Sequence, residues 1–328
     1  MNGFVDIQVN GILGVDFTGE GLALDDVRRA TRELVKRGTI AYCPTVVEAP
    51  EETLRRNLSV LASTMDEPDL AGHILGVHLE GPFISPEDGA RGAHQTQLLS
   101  QPSVDGFERL WEWAEGRFAI LTLAPELPGA EELIRHAAKR GVIVSIGHTA
   151  ADAGTIARAI EAGARCSTHL GNGIADMIHR HDNPIWPQLA SDELFAGFVT
   201  DGHHVPPEFI KSAIRAKGVS RSIVVSDSVA LAGMPPGDYD LRGKRLVLDT
   251  SGRLGLAGTP YLAGSAATMM QCMNHLASLG ILTEDELWQV GRWNALKLLG
   301  IDAATVAALE GPEVEFNGNG FVLRGKAV

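Results

Sequence analysis

Short apolar runs recur along the chain, and amphipathic stretches separate nearly all of them. The runs at 3–9, 39–47, 74–79, 118–124, 142–148, 164–169, 194–199 and 222–225 each read as a buried strand. Helical periodicity fills the intervals at 24–37, from Pro50 onward, at 104–115, 130–140 and 153–162, and from Pro206 onward. A short helix is expected at 185–191. Eight strands alternating with helices predict a parallel sheet with crossover helices, closed into a (β/α)8 TIM barrel. No G-x-G-x-x-G follows the first strand, which weighs against a dinucleotide-binding sheet.

After the eighth strand, 234–258 reads as a turn-rich excursion with strands near 245–249 and 254–257. A helix at 265–279 is expected to close the barrel. Thr283-Glu284-Asp285-Glu286 is a capping box, and its helix is expected to run to Gly300. The tail at 313–324 alternates and contains Asn317-Gly318-Asn319-Gly320, a hairpin signal. The expected organisation is a barrel over 3–310 that includes the excursion. A C-terminal β tail over 311–328 follows, lying beside the 245–257 strands as a small satellite.

Composition narrows the function. The 328 residues are 45% hydrophobic and 21% charged, a soluble globular mix. No apolar run reaches the roughly 20 residues needed to span a bilayer, and no basic leader precedes the first strand. The formal net charge of −13 argues against nucleic acid or an anionic membrane as a partner. Cys43, Cys166 and Cys272 form neither a zinc ribbon nor a disulfide pattern, so a reducing cytoplasm is the expected compartment.

The chemistry sits where the apolar runs end. Ile74–Leu79 stops at Glu80 before Gly81-Pro82; two later runs end in His148 and His169. Gln8, His204 and Asp227 close three others. Barrel enzymes place their active sites at this C-terminal face of the strands. One carboxylate and two imidazoles suit a divalent metal with an open position. On the residues alone Glu80 can equally be a helix cap, and each histidine a core histidine bonded to backbone. Asp227 can be a loop hydrogen-bond acceptor or the general base, and His94 a surface residue or part of the site.

Taken in order, these motifs resemble the N-acetylglucosamine-6-phosphate deacetylases of the amidohydrolase superfamily. The resemblance rests on GFVDIQVNG at 3–11, HLEGPF at 78–83, RGAH at 91–94, LAPE at 123–126, IGHT at 146–149, THLGN at 168–172, DGHHV at 201–205, VSDS at 225–228 and LAGSAATM at 262–269. It covers nearly the whole chain. It implies one divalent metal ion per subunit on Glu80, His148 and His169, zinc first, with ferrous iron or another ion as the alternative. Gln8-Val9-Asn10 stands where many amidohydrolases carry an HxH pair for a second metal. Asp227 is then the residue that takes a proton from the attacking water and gives it to the departing amine, with His94 near the substrate carbonyl. Ala93, Asn172, Gly173, His204, Leu262, Ala263 and Gly264 fall at substrate-contacting positions. The implied reaction removes the acetyl group of an amino sugar, and the implied assembly is a homodimer whose neighbour completes the phosphate site.

Two departures stand out. Where the family reads THLFNAM and then Arg-Glu-Pro-Gly, this chain reads THLGNGIADMIHRHDNPIW, leaving Arg180 as the candidate phosphate-binding arginine. Loss of the bulky residue at Gly171 is expected to open space above the metal. A different N-acylated or unphosphorylated substrate, or a silent sugar-binding barrel, is the alternative reading. Family members also carry a segment ahead of the first strand that builds half of a β-sandwich. Its counterpart here is expected to be reduced or missing, with a sheet edge to be covered by the tail or a partner.

Overall fold

The computed structural model describes residues 3–259 and 261–324. Eight strands, β1 (Phe4–Val9), β2 (Thr39–Val46), β3 (Val77–Glu80), β4 (Phe118–Leu123), β5 (Ile143–Ile146), β6 (Ala164–Ser167), β7 (Phe195–Val199) and β8 (Ser222–Val225), form one sheet in sequential order. Every neighbouring pair is parallel. The strands are buried over almost their whole length, as both faces of a barrel sheet must be.

Helices α1 (Leu24–Lys36), α2 (Glu51–Thr64), α3 (Val104–Trp113), α4 (Ala130–Lys139), α5 (Ala153–Ala162), the short α6 (Ile185–Ala190) and α7 (Pro207–Lys217) wrap the sheet. Their apolar stripes explain the packing. Val27, Ala30, Thr31 and Leu34 of α1 lie on one face at helical spacing and are buried. Acids open α1 and Lys36 closes it, as the helix dipole prefers. Gly38 then adopts φ +88°, a turn that an L-residue resists.

β8 and β1 meet without a regular ladder among the described residues. A bridge joins Val9 to Ser228, and backbone bonds run from Asp227 N to Gln8 O (3.0 Å) and from Asn10 N to Ser228 O (2.7 Å). Inside the barrel, below the strand ends, a polar chain crosses four strands. His78 Nδ1 faces the Ile7 carbonyl at 2.9 Å and so carries the proton. Its Nε2 therefore accepts from Thr122 Oγ1 at 2.7 Å, which Thr168 Oγ1 (2.7 Å) and Ser145 Oγ (2.6 Å) continue. The order of donors fixes the ring's tautomer.

After β8 the chain forms an antiparallel meander of β9 (Gly237–Leu241), β10 (Lys244–Leu248) and β11 (Leu254–Leu256). The first of these strands is not apparent in the sequence, because its Gly-Asp-Tyr-Asp-Leu alternation leaves little apolar signal. Leu246, Leu248 and Leu254 pack it onto Leu231 and Ala266.

The helix expected at 265–279 starts later, as α8 (Met269–Ser278), with Thr268 as its capping residue. Ser265 is bridged to Ser228 and accepts from Val229 N at 2.9 Å, so the chain stays extended along the barrel seam before the helix can begin. Thr283 and Glu286 form the capping box of α9 (Glu284–Trp288). The expected single helix to Gly300 is broken by a π-helical turn, Gln289–Trp293, ahead of α10 (Asn294–Leu299) and α11 (Ala303–Ala307). Gly291 in that turn lies against Phe4 and Met273, where a side chain has no room.

The tail is a hairpin of β12 (Glu313–Phe316) and β13 (Phe321–Arg324). It does not join the meander. Phe321 instead meets Phe4 edge-on (centroids 5.0 Å apart) and Trp288 (5.1 Å), and Asn274 of α8 bonds the Phe321 backbone through both side-chain atoms. The aromatic payload at position 321 decides this placement, because it fills the floor of the barrel under β1. Among the described residues no helix is long and apolar enough to cross a membrane.

Candidate active site

The site lies at the C-terminal ends of the strands. Glu80 ends β3, His148 follows β5 and His169 follows β6, and all three are buried. His169 Nε2 stands 3.0 Å from Glu80 Oε1 and 3.0 Å from His148 Nε2; His148 Nε2 stands 3.2 Å from the same Glu80 oxygen. His148 Nδ1 faces the Ala90 carbonyl at 2.9 Å, so the ring proton sits there and Nε2 presents a lone pair. The His148 lone pair, His169 Nε2 and a carboxylate oxygen thus converge. One proton relieves one pairing, whereas a divalent cation relieves all of them. Ligand atoms of a tetrahedral zinc are about 3.3 Å apart, close to the observed separations. The residues fit a metal ion.

Electrostatics agree with that geometry. Burial pushes the Glu80 carboxyl up, but His148 and His169 outweigh it and hold the group well below the usual range. Burial, helped by His94, lowers His148 to about 4, which keeps the ring neutral and able to ligate.

Asp227 follows β8 and faces this cluster. Gln8 Nε2 donates to its Oδ1 at 3.1 Å and to Glu80 Oε1 at 3.0 Å, and Asn10 Nδ2 donates to Asp227 Oδ1 at 2.7 Å. The two amides therefore occupy the place of an HxH pair, and Gln8 ties the two carboxylates together. Desolvation, then the charge of Glu80, raises Asp227 to about 6. His148 (φ +50°), His169 (φ +29°) and Asp227 (φ +49°) all hold the left-handed backbone that non-glycine residues avoid.

His94 enters from the loop after β3. Its Nδ1 bonds Glu48 Oε2, and its Nε2 points into the site, 3.2 Å from His148 Nε2. Glu48 also accepts from Gln95 N at 2.7 Å, so one buried carboxylate orients the whole turn. Glu48, like Glu80, lies just past an apolar run, yet it is not among the residues singled out from the sequence. Its neighbours in sequence carry no motif. His204 is oriented likewise, its Nδ1 on Asp201 Oδ2 at 2.7 Å.

The chain matches no protein-family model. It is 36% identical over 317 residues to the N-acetylglucosamine-6-phosphate deacetylase of Bos taurus, covering 92% of this chain and 74% of that one. It is 31% identical over 302 residues to the enzyme of that name from Bacillus subtilis (strain 168), covering 91% and 75%.

The chain belongs to the N-acetylglucosamine-6-phosphate deacetylase family.

Solved structures of deacetylases agree with the assignment. A variant from Mycobacterium smegmatis, determined in complex with N-acetyl-D-glucosamine-6-phosphate, superposes with a TM-score of 0.86 at 29% identity, covering 98% of this chain and 83% of that one. The deacetylase of Thermotoga maritima gives 0.82 at 26% identity with the same coverage.

Set beside the deacetylase motifs, one pocket gathers most of the expected residues. Glu80, His148, His169, Asp227 and His94 line it, and so do Ala93, Asn172, Gly173, His204, Leu262, Ala263 and Gly264. Arg180 does not. It sits on an exposed loop, where its carbonyl accepts from Trp186 Nε1 at 3.0 Å. Gly171 opens no space above the site either. A Cβ there would lie 2.7 Å from the Phe209 ring, on the helix α7 side, so that volume is already filled. The meander roofs the pocket. Arg242 pairs with Asp16, and Lys244 donates to the Ala93 carbonyl.

Proposed function

We propose that this chain hydrolyses the N-acetyl amide of N-acetylglucosamine-6-phosphate, giving glucosamine-6-phosphate and acetate. The observation that carries the reading is Asp227, held at about 6 and facing the Glu80–His148–His169 cluster across the pocket. A divalent ion on those three residues supplies Lewis-acid polarisation of the amide carbonyl and acidifies water. Asp227 takes the proton of the attacking water and returns it to the amine nitrogen as the carbon–nitrogen bond breaks, since an unprotonated amine is a poor leaving group. His94, held by ionised Glu48 through Nδ1, turns its Nε2 toward the place where charge gathers on the carbonyl oxygen. Gln8 and Asn10 keep the Asp227 carboxylate aimed inward.

Two nitrogens and one oxygen in a buried set favour zinc, with ferrous iron as the alternative. His204, Asn172 and Gly173 hold the sugar on one wall of the pocket, and Leu262, Ala263 and Gly264 on the other. The Arg180 loop, exposed and away from its own pocket, supports a homodimer in which each arginine serves the partner's site. The free cysteines are all buried, which suits a cytoplasmic enzyme.

The same position of Arg180 favours one second reading, an amino-sugar substrate without the phosphate. Acetate release from N-acetylglucosamine, with and without the 6-phosphate, separates them. We expect kcat/KM to be higher with the phosphate, and Asp227→Asn to lower kcat by ~10²–10⁴-fold with metal content retained. Equal rates in variant and parent overturn the assignment of the proton carrier.

A further inference from the structure

Asp6 is fully buried in β1, two residues below Gln8 and on the same face, and no cationic side chain pairs with it among the described residues. A carboxyl group in such a place is costly unless its oxygens are satisfied. Here both serve a single turn. Oδ1 accepts from Gln8 N and from Ser226 N, each at 3.2 Å, and Oδ2 accepts from Ser226 Oγ at 2.5 Å. Ser226 Oγ in turn accepts from Ser228 N at 3.2 Å. The carboxyl thus grips the residues on both sides of Asp227, whose own N–H goes to Gln8 O.

Two features make the grip matter. The β8–β1 seam carries no regular ladder, only the Val9–Ser228 bridge and the few backbone bonds around Asp227 and Ser228, so side-chain bonds add to a sparse pairing here. Asp227 also sits at φ +49°, a conformation that persists only when the surroundings over-determine it. The function so far described uses Asp227 but gives Asp6 no task.

We infer that Asp6 is a positioning residue, whose buried carboxyl fixes the 226–228 turn so that Asp227 stands where the proton is transferred. The inference rests on the reading of Asp227 as the proton carrier. Asp6 touches neither substrate nor metal ligands and acts through Ser226 and Gln8. In either protonation state the arrangement survives, because a protonated Oδ2 donates to Ser226 Oγ instead of accepting. Asparagine at position 6 can imitate that state; alanine leaves two N–H groups and a hydroxyl unanswered.

The test is steady-state kinetics and metal analysis of the metal-loaded enzyme on N-acetylglucosamine-6-phosphate. Asp6→Ala is expected to lower kcat by ~10–100-fold, the order of loss that misplacing a reacting group produces. KM should stay within about threefold and metal content unchanged, since no ligand lies on β1. Asp6→Asn should recover most of the lost kcat. Added to Asp227→Asn, Asp6→Ala should lower the residual rate no further, because the group it positions is gone. If Asp6→Ala does not yield folded protein, Ser226→Ala carries the test, with a several-fold fall in kcat at unchanged KM. A parental kcat in either folded variant overturns the inference, as does an equal further loss in the Asp227→Asn background. An Asp227→Asn enzyme as fast as its parent instead overturns the reading beneath it, so the two failures are told apart.

Discussion

His94 and His204 are built on one plan. Each imidazole turns its Nδ1 to a largely buried carboxylate, Glu48 and Asp201, and its Nε2 into the pocket. Burial pushes Glu48 up, yet His94 draws it below the usual carboxylate range, so the acid is charged when the ring needs it. Replacing Glu48 by glutamine should therefore lower kcat by ~10–100-fold, as loss of an orienting partner does at a histidine site. KM should change little; kinetics on the two proteins decide it, and an unchanged kcat would free His94 from this dependence. The residues that end apolar runs, Glu80, His148 and His169, were readable because a polar group at a strand mouth is conspicuous. Gln8, Asn10 and Glu48 were harder. Amides and a lone acid are common at loop starts, and only the fold reveals that Gln8 bridges Glu80 and Asp227 while Asn10 bonds Asp227.

Among the elements, those with strong periodicity were legible almost to the residue. The α5 and β8 bounds match the sequence reading, and most other barrel elements agree to within a few residues. The exceptions have local causes. The extended 265–268 segment follows the seam rather than helix propensity, and in the π turn Gly291 lies close against Phe4 and Met273. Neither constraint is visible without the neighbours. Gly171 teaches the same lesson. Sequence suggests a vacancy over the metal, while the structure fills that space with Phe209. Gly171→Ala should thus destabilise the protein by about 1–3 kcal/mol through overpacking against Phe209 and the φ of +100° that alanine resists. Denaturant unfolding measures it, and a variant as stable as the parent would mean that both the ring and the backbone adjust freely.

For the molecule as a whole, the parallel barrel was legible from alternation alone, but not how the ring is shut. Beside the few backbone bonds, the seam is held by side chains, among them Asp6. Burial raises Asp6 to about 7, its hydrogen bonds to Ser226 and Gln8 offsetting only part of the rise. An unfolded aspartate titrates near ~3.9. The folded chain therefore binds a proton at Asp6 between roughly pH 4 and 7, a contribution fully present below that window and lost as pH climbs through it. Asp6→Asn does not titrate. Compared with the parent by thermal unfolding at pH 5 and pH 8, its Tm should gain relative ground at pH 8. A Tm difference independent of pH would show that Asp6 keeps one protonation state throughout.

The stack of Phe4, Trp288 and Phe321 has a bearing on how the chain is made. β1 is synthesised well before its partners: its second neighbour, β8, follows roughly two hundred residues later and the rings that cap it some three hundred. A ribosome-bound intermediate must carry an exposed phenylalanine and an unpaired strand edge through most of translation, an aggregation hazard. Because Phe4 and Phe321 finish side by side, a rearranged gene that places β1 after β13 through a short linker would let the strand emerge together with its capping rings.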